Sequence, residues 1–364
     1  MSFALRSLAR ERAFALALLS AIVVLLFGRT LLHGLTLSWW TGTLFLWLFA
    51  TVLVAAFAVV RHAESLAHHY GEPYGTLILT LSAVAIEVIM ISAMMLNEDP
   101  DPTLGRDTIY ATLMIIVNGL IGLAMLLGGL RYGEQQYNLK SSTAFFSMIL
   151  VLAAVGLYLP VVVPSASRIT YEVFLIALSC LLYLLFLRIQ TKEHRYYFVS
   201  EKSAGARLAG HAGDGAPGWY HALLLLGTLC LIGYLAESVA LIIDAGVDQL
   251  GLPIGVASLL VALLILAPES LTALRAGLDN DMQRVVNICL GSALSTVSLT
   301  IPAVLLVGIL SAKPVILGLT NVQAVMLAFT LLIGMNSYRS GETNALQGAI
   351  HFALFATFIA LIFV

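Results

Sequence analysis

Charge is scarce in this chain. Only 10% of its 364 residues are charged and 60% are hydrophobic, with a mean hydropathy of +0.98. A soluble domain carries about 25% charged residues, so a water-soluble fold is excluded. Cysteine is scarcer still. Cys180, Cys230 and Cys289 sit singly inside apolar runs without C-x-x-C spacing, which leaves no thiol metal site or redox pair and makes them packing residues. There is no H-E-x-x-H, no clustered metal triad and no Ser/His pair at one depth, so neither a zinc protease nor an intramembrane hydrolase has support and the chain reads as a non-enzyme. No basic cluster exists and the net charge is −2, which offers nucleic acid nothing to bind. The start, MSFALRSLARER, is basic and precedes an apolar run, yet no A-x-A-like site follows convincingly before Arg29. A retained first span is therefore expected rather than a cleaved signal.

What the chain does have is apolar runs of about 20 residues down its whole length, the signature of a helical bundle and not of a β-barrel. Eleven spans are expected, at about 13–33, 37–60, 74–96, 108–130, 142–163, 170–189, 220–243, 252–274, 285–310, 315–335 and 343–364. With the N-terminus inside, 14 of the 18 Lys and Arg residues fall on the cytoplasmic side, and only Arg29, Arg106, Arg168 and Lys313 fall outside. That bias orients the chain in a cytoplasmic membrane, C-terminus outside, and supports the span count, which an error of one would scramble. NEDPDPTLGRD (97–107) and the turn DAGVDQ (244–249) are assigned to outer loops.

The longest polar interval, 190–219, contains EKSAGARLAGHAGDGAPG and reads as a flexible cytoplasmic linker. It divides the chain into an extra N-terminal helix (1–36), a first five-helix repeat (37–189) and a second (220–364). The motif G-x-P-x-G supports this division, occurring at Gly71, Pro73, Gly75 and again at Gly251, Pro253, Gly255. Span three runs outward and span eight inward, so the two copies face opposite ways. Inverted-topology duplication is the architecture of secondary transporters. The expected fold class is thus all-α, a polytopic membrane protein of about eleven helices with two inverted five-helix repeats.

Each motif copy leads to one acid. Glu87 follows Gly75 by 12 residues and Glu269 follows Gly255 by 14, roughly 20 Å along a helix. A charge at the bilayer centre costs about 2.5–3.5 kcal/mol on insertion scales, and a chain that keeps one there has work for it. Paired carboxylates suit a hard cation that sheds its water for oxygen ligands. Burial favours the protonated acid and a bound cation the ionised one, so the same two acids can hold either protons or metal. Pro268, directly before Glu269, frees a carbonyl one turn earlier.

A second set of polar residues accompanies these acids. Ala63-Glu64 precedes the first motif and Ala236-Glu237 the second. Glu64 belongs to the segment RHAESLAHHYGE, read as a cytoplasmic amphipathic turn or helix, whereas Glu237 lies inside span seven and is a transport or gating candidate. Glu72 sits at the mouth of span three, placed to collect cations. Span four carries Thr112 and Asn118; span nine carries Asn287, Ser292, Ser295 and Thr296, with Asn287, Gly291 and Ser295 on one helical face. Gly291 leaves room for the close approach of a helix or an ion. The same hydroxyls also suit plain interhelix hydrogen bonding. His62, His68, His69, His194 and His211 lie at span edges or in the linker, and His33, His221 and His351 near or inside spans; none joins a motif.

Five segments carry a family likeness: RHAESLAHHYGEPYGTLILTLSAVAIEV (61–88), RDTIYATLMIIVNGLIG (106–122), FLRIQTK (186–192), LLVALLILAPESLTAL (259–274) and QRVVNICLGSALSTVSLTIP (283–302). Together they resemble the calcium/proton exchanger family of the cation/Ca²⁺ exchanger superfamily, and within it the ChaA-type bacterial branch. The resemblance implies that Glu87 and Glu269 bind the cation and exchange it for protons, with GSALS (291–295) as an accessory ligand segment. The family commonly writes G-N-x-x-E at the first acid. This chain has Ala83-Val84-Ala85-Ile86-Glu87 there, one oxygen ligand fewer, and its linker lacks the family's acidic run.

The expectation is an inner-membrane antiporter working by alternating access, with Ca²⁺ as cargo against H⁺ and Na⁺ or K⁺ as the alternative cargo of the same fold. Its partners are the lipid bilayer, inorganic cations and protons, and no cofactor is expected. A cation channel is the reading from another class. It would need a continuous polar path, which two midplane acids supply poorly.

Overall fold

The computed structural model describes residues 11–71, 74–96, 101–199 and 216–364. Among these lie eleven long helices: α1 (Arg12–Leu31), α2 (Trp39–Tyr70), α3 (Tyr74–Met95), α4 (Leu104–Tyr132), α5 (Leu139–Val161), α6 (Arg168–Glu193), α7 (Gly218–Leu250), α8 (Gly255–Leu278), α9 (Met282–Ser311), α10 (Asn321–Ser337) and α11 (Ala345–Ile362). All but α10 are long and apolar enough to cross a membrane; α10 is a shorter apolar helix. Two short antiparallel strands, β1 (Glu134–Gln136) and β2 (Glu342–Asn344), pair with Gln135 opposite Thr343. The protein is an all-α polytopic membrane protein, as its composition requires.

Three elements depart from the sequence expectation. α2 runs on through RHAESLAHHY to Tyr70, because the segment has no breaker and keeps Ala63 and Leu66 on the buried face. It ends where Gly71 takes φ +64°, a backbone state that costs glycine nothing. α7 likewise continues through DAGVDQ, which is helix and not turn, to a left-handed cap at Gly251, φ +61°. The first glycine of each G-x-P-x-G copy is therefore a helix terminator. In contrast, α10 starts only at Asn321. Pro314 interrupts the run, and residues 313–320 pass without helix or strand, with Gly318 against Val161, where an added Cβ would lie 3.2 Å from the Val161 backbone.

Packing divides the chain into two units. The first takes the chain through Asp101 together with 213–268; the second takes 102–212 and 269–364. In the first unit α2 and α7 lie along one another, flanked by α1 and α3. Alanines 55, 56, 58 and 63 of α2 and Ala236 and Ala240 of α7 are buried there, and Gly233 of α7 admits Ile89 of α3. One end is closed by a polar cluster. Glu11 accepts from Arg61 and from the Tyr220 hydroxyl (3.2 Å), lies 3.2 Å from His62 Nε2, and His62 Nδ1 meets His221 Nδ1 at 3.0 Å. The opposite end is closed by Gln249, which bonds the backbone of Leu35 and Leu37.

In the second unit α4 and α9 are the most buried spans. Each contains a π turn, Ile115–Leu120 in α4 and Thr296–Thr300 in α9. The packing is reciprocal: the π turn of α4 lies on residues 282–295 of α9, and that of α9 on residues 104–114 of α4. α11 packs on α4 through glycines. An added Cβ on Gly122 would come within 2.8 Å of Phe352 N, and one on Gly348 would overlap the backbone of Leu126. At one end, the loops after α4, α8 and α10 are tied by the β1–β2 pair and by Gln135 Nε2, which donates to Gly277 O (3.0 Å) and Asn280 Oδ1 (3.1 Å). At the other, the loop after α9 is tied to the chain before α4 by Ile316 N to Pro102 O (2.8 Å), to α4 by Arg106 Nη1 to Gly318 O (3.0 Å) and to α5 by Leu319 N to Leu157 O (3.1 Å). Alternating spans demand this grouping of loops by parity.

Candidate cation and proton site

Glu87 lies in the middle of α3, buried among Val84, Ile86, Met90 and Ile91 on a helix with no other acid or base. Ile89, two residues beyond Glu87, packs against Gly233 of α7. Glu237 is exposed, as is Glu64 on α2. Glu72 lies outside the described residues.

Glu269 is half-buried in α8, one residue beyond Pro268. The helix stays continuous through this proline, which has no N–H to offer the carbonyl of Leu264. Ser292 of α9 reaches across and donates from Oγ to Glu269 Oε2 at 3.0 Å, while Ser295 Oγ donates to the Ser292 carbonyl at 2.8 Å. One of the expected accessory residues, Ser292, thus meets the second acid, while Ser295 bonds the Ser292 backbone. The chemistry is adaptable. A serine hydroxyl donates to an ionised carboxylate, accepts from a protonated one, and offers a lone pair to a cation beside it. Carboxylate and hydroxyl oxygens make a donor set for hard cations.

The structure takes the other accessory candidates elsewhere. Asn287 donates from Nδ2 to Phe198 O (2.6 Å) and accepts from Gln283 Nε2 (2.9 Å), so its amide anchors the chain that follows α6. Asn118, in the π turn of α4, donates to Thr330 Oγ1 (2.7 Å) and meets His351 Nδ1 through Oδ1 (3.2 Å). Thr112 is fully buried with no hydrogen-bond partner for its hydroxyl among the described residues. Gly291 is not needed for the close approach of a helix, since a Cβ there would make only ordinary contact with Phe145, 3.8 Å away.

Sequence reasoning passed over His62, His221 and His351, all buried. The available signal was His351 itself, a lone titratable group in the otherwise apolar stretch of α11. Gln283 and Thr330, which complete the asparagine contacts, carried no signal at all.

The profile of the sodium/calcium exchanger protein family matches the chain over residues 41–192 and 220–364. The sodium-potassium/proton antiporter ChaA of Escherichia coli (strain K12) is 38% identical over 321 residues, 86% of each chain. The Ca²⁺/H⁺ antiporter ChaA of Bacillus subtilis (strain 168) is 24% identical over 330 residues, 87% of this chain and 90% of that one. Among solved structures, native YfkE superposes with a TM-score of 0.73 over 96% of this chain and 99% of its own, at 19% identity, a likeness of fold.

Proposed function

This chain belongs to the sodium/calcium exchanger protein family, and from that premise we propose that it is a secondary cation/proton antiporter that exports Ca²⁺ in exchange for H⁺ by alternating access. The observation that carries the reading is the Ser292–Glu269 hydrogen bond, a carboxylate held by a hydroxyl between two apolar spans, which serves proton and cation alike. Glu87 and Glu269 are the exchanging acids. Facing the cytoplasm they release protons and take the cation; facing outward they take protons and let it go. Two carboxylates trading two protons for one Ca²⁺ make the cycle electroneutral. Glu72 and Glu237 serve access to the site, Ser292 and Ser295 supply accessory oxygens, and the protein catalyses no covalent chemistry.

One observation favours Na⁺ or K⁺ as the cargo. The 38% identical relative carries sodium-potassium/proton antiporter in its name, and the Ca²⁺/H⁺ relative is the more distant at 24%. The first acid also has one oxygen neighbour fewer than the family pattern, where Ca²⁺ takes six to eight oxygen ligands.

The architecture we infer is an extra helix (1–36) and two inverted five-helix repeats (37–189 and 220–364) joined by a cytoplasmic linker (190–219), in a bacterial inner membrane with the N-terminus inside. Reciprocal packing of the α4 and α9 π turns supports the repeats, as do the terminator glycines Gly71 and Gly251. Everted vesicles loaded with a pH dye, energised and pulsed separately with Ca²⁺, Na⁺ and K⁺, test the function. Cation-triggered proton release, lost in both Glu87→Gln and Glu269→Gln, is the expected result and names the ion. Full exchange in either variant overturns the paired-acid mechanism.

A further inference from the structure

Among the described residues, two of the three mid-span π turns have a proline to account for them. In α5 the π turn Ala154–Tyr158 is followed by Pro160, which has no N–H for the Gly156 carbonyl. In α9 the π turn Thr296–Thr300 is followed by Pro302, which has none for Ser298. The helical ladder must shift register around each of these gaps. α4 contains no proline, and yet its π turn, Ile115–Leu120, sits in the most buried span. Something else holds it.

Side chains of two other helices meet it. Asn118, inside the π turn, is fully buried, and both ends of its amide are engaged. Nδ2 donates to Thr330 Oγ1 of α10 at 2.7 Å, and the Thr330 hydroxyl turns to Met114 Sδ at 3.6 Å. Oδ1 receives His351 Nδ1 of α11 at 3.2 Å, and His351 Nε2 meets Ser337 Oγ of α10 at 3.0 Å. Ser337 in turn accepts at its carbonyl from the Tyr137 hydroxyl at 2.9 Å, beside the β1–β2 pair. The chain has one consistent polarity: Ser337 donates to His351, His351 to Asn118, Asn118 to Thr330, and Thr330 to the sulfur. Nothing polar in it is left over, which is the condition for keeping such a network in an apolar core.

We propose that His351 is a positioning residue for ion exchange: through Asn118 it fixes the π turn of α4. The inference rests on the antiporter reading for its functional consequence. The chain is not a proton path, because the Asn118 amide carries no exchangeable acid that would pass a proton from His351 to Thr330. Nor does it depend on the charge of the imidazole. A neutral ring accepts from Ser337, a protonated ring donates to it, and the Nδ1–Asn118 bond survives both. What the network supplies is a rigid anchor for a helix whose ladder is interrupted. The α4–α11 glycine seam beside it, Gly122 against Phe352 and Gly348 against Leu126, leaves α11 no slack in delivering that anchor.

The geometry makes a distinction that side-chain volume does not. The bond to Asn118 comes from the δ position of residue 351. Asparagine has a polar group at that position, whereas glutamine, nearer to histidine in size, carries its amide one atom further out, toward Ser337. The experiment compares His351→Asn, His351→Gln, His351→Ala, Asn118→Ala and the Asn118→Ala/His351→Ala double variant. Proton release on cation pulses is measured in vesicles with matched amounts of protein, and unfolding temperatures are measured on the same purified proteins.

His351→Asn is expected to hold its maximal rate within about threefold of wild type. His351→Gln and His351→Ala should lose tenfold or more, with the apparent KM for the cation kept within about twofold. The double variant should be no slower and no less stable than Asn118→Ala alone, since both changes break one chain. Glutamine outperforming asparagine, or fully additive losses in rate and unfolding temperature, would overturn the proposal. Where His351→Ala does not accumulate, the Asn/Gln ranking decides. A wild type that releases no protons sinks the antiporter reading instead, and the unfolding-temperature cycle still tests the Asn118–His351 linkage.

Discussion

Ser292 Oγ donates a hydrogen bond of 3.0 Å to Glu269 Oε2, so the second membrane acid is held by a residue from the next helix and not from its own. A hydrogen bond to a charged group is worth about 1.5–3 kcal/mol, or roughly 10- to 150-fold in an equilibrium. Ser292→Ala is therefore expected to raise the apparent KM for the cation by at least about tenfold and leave measurable exchange, while Glu269→Gln abolishes it. Initial rates of dye-reported proton release against cation concentration separate the two. A Ser292→Ala variant with wild-type KM would remove the hydroxyl from the site.

The glycine seam between α4 and α11 has no room for a methyl group. Overpacking costs about 1–3 kcal/mol, so Gly348→Ala should lower the unfolding temperature of the purified protein. Gly291→Ala, where an added Cβ meets only Phe145 at 3.8 Å, should leave it unchanged. Thermal melts of both variants check the contrast, and equal melting temperatures would contradict the packing described.

Tyr137 gives a prediction in pH. Burial at the end of α10 pushes its hydroxyl up to about 12, from the usual value of 10. A group whose folded value is raised contributes stability that is intact below its unfolded value and lost as pH rises through the folded one. Between about pH 10 and 12, stability should therefore fall by about 1.4 kcal/mol per unit on account of this residue. Tyr137→Phe should melt lower than wild type at neutral pH, having lost the bond to Ser337, and show a shallower decline above pH 10. Parallel slopes for the two proteins would rule out the tyrosine as the cause.

The grouping of loops by parity predicts sidedness. Single cysteines at Lys313 and at Ser340, in a background lacking Cys180, Cys230 and Cys289, should label with a membrane-impermeant maleimide from opposite sides. Right-side-out cells should label the Lys313→Cys protein and everted vesicles the Ser340→Cys protein. Labelling of both from one side would break the alternation of spans.

The count of spans was legible because length and apolarity are local properties. Their ends were not. RHAESLAHHY looks polar enough to stop a helix, yet nothing in it forbids one until Gly71, and the buried Ala63 and Leu66 carry α2 across it. The 313–320 segment misleads in the other direction, reading as the start of an apolar span although it contains Pro314 and forms no helix. Glu87 and Glu269 stood out because an acid in an apolar run is conspicuous alone. Ser292 was one hydroxyl among several, and its selection depends on which face α9 turns to Glu269. Asn118 was noticed and its partners were not, because Thr330, Ser337 and His351 come from two later helices and their meeting is a property of packing. His62 and His221 illustrate the same limit: 159 residues apart in sequence, they share a hydrogen bond.

The second unit is laced at both rims, by β1–β2 and Gln135 at one and by the 313–320 strap at the other. Its helices are staves hooped top and bottom. A residue inserted into the tied segments of either rim would have to be absorbed by a knot that other segments share, so length variation there has few places to go. The adjustments that remain open to it are changes of side chain at fixed length, and a unit that evolves under that constraint keeps its register while its chemistry is retuned.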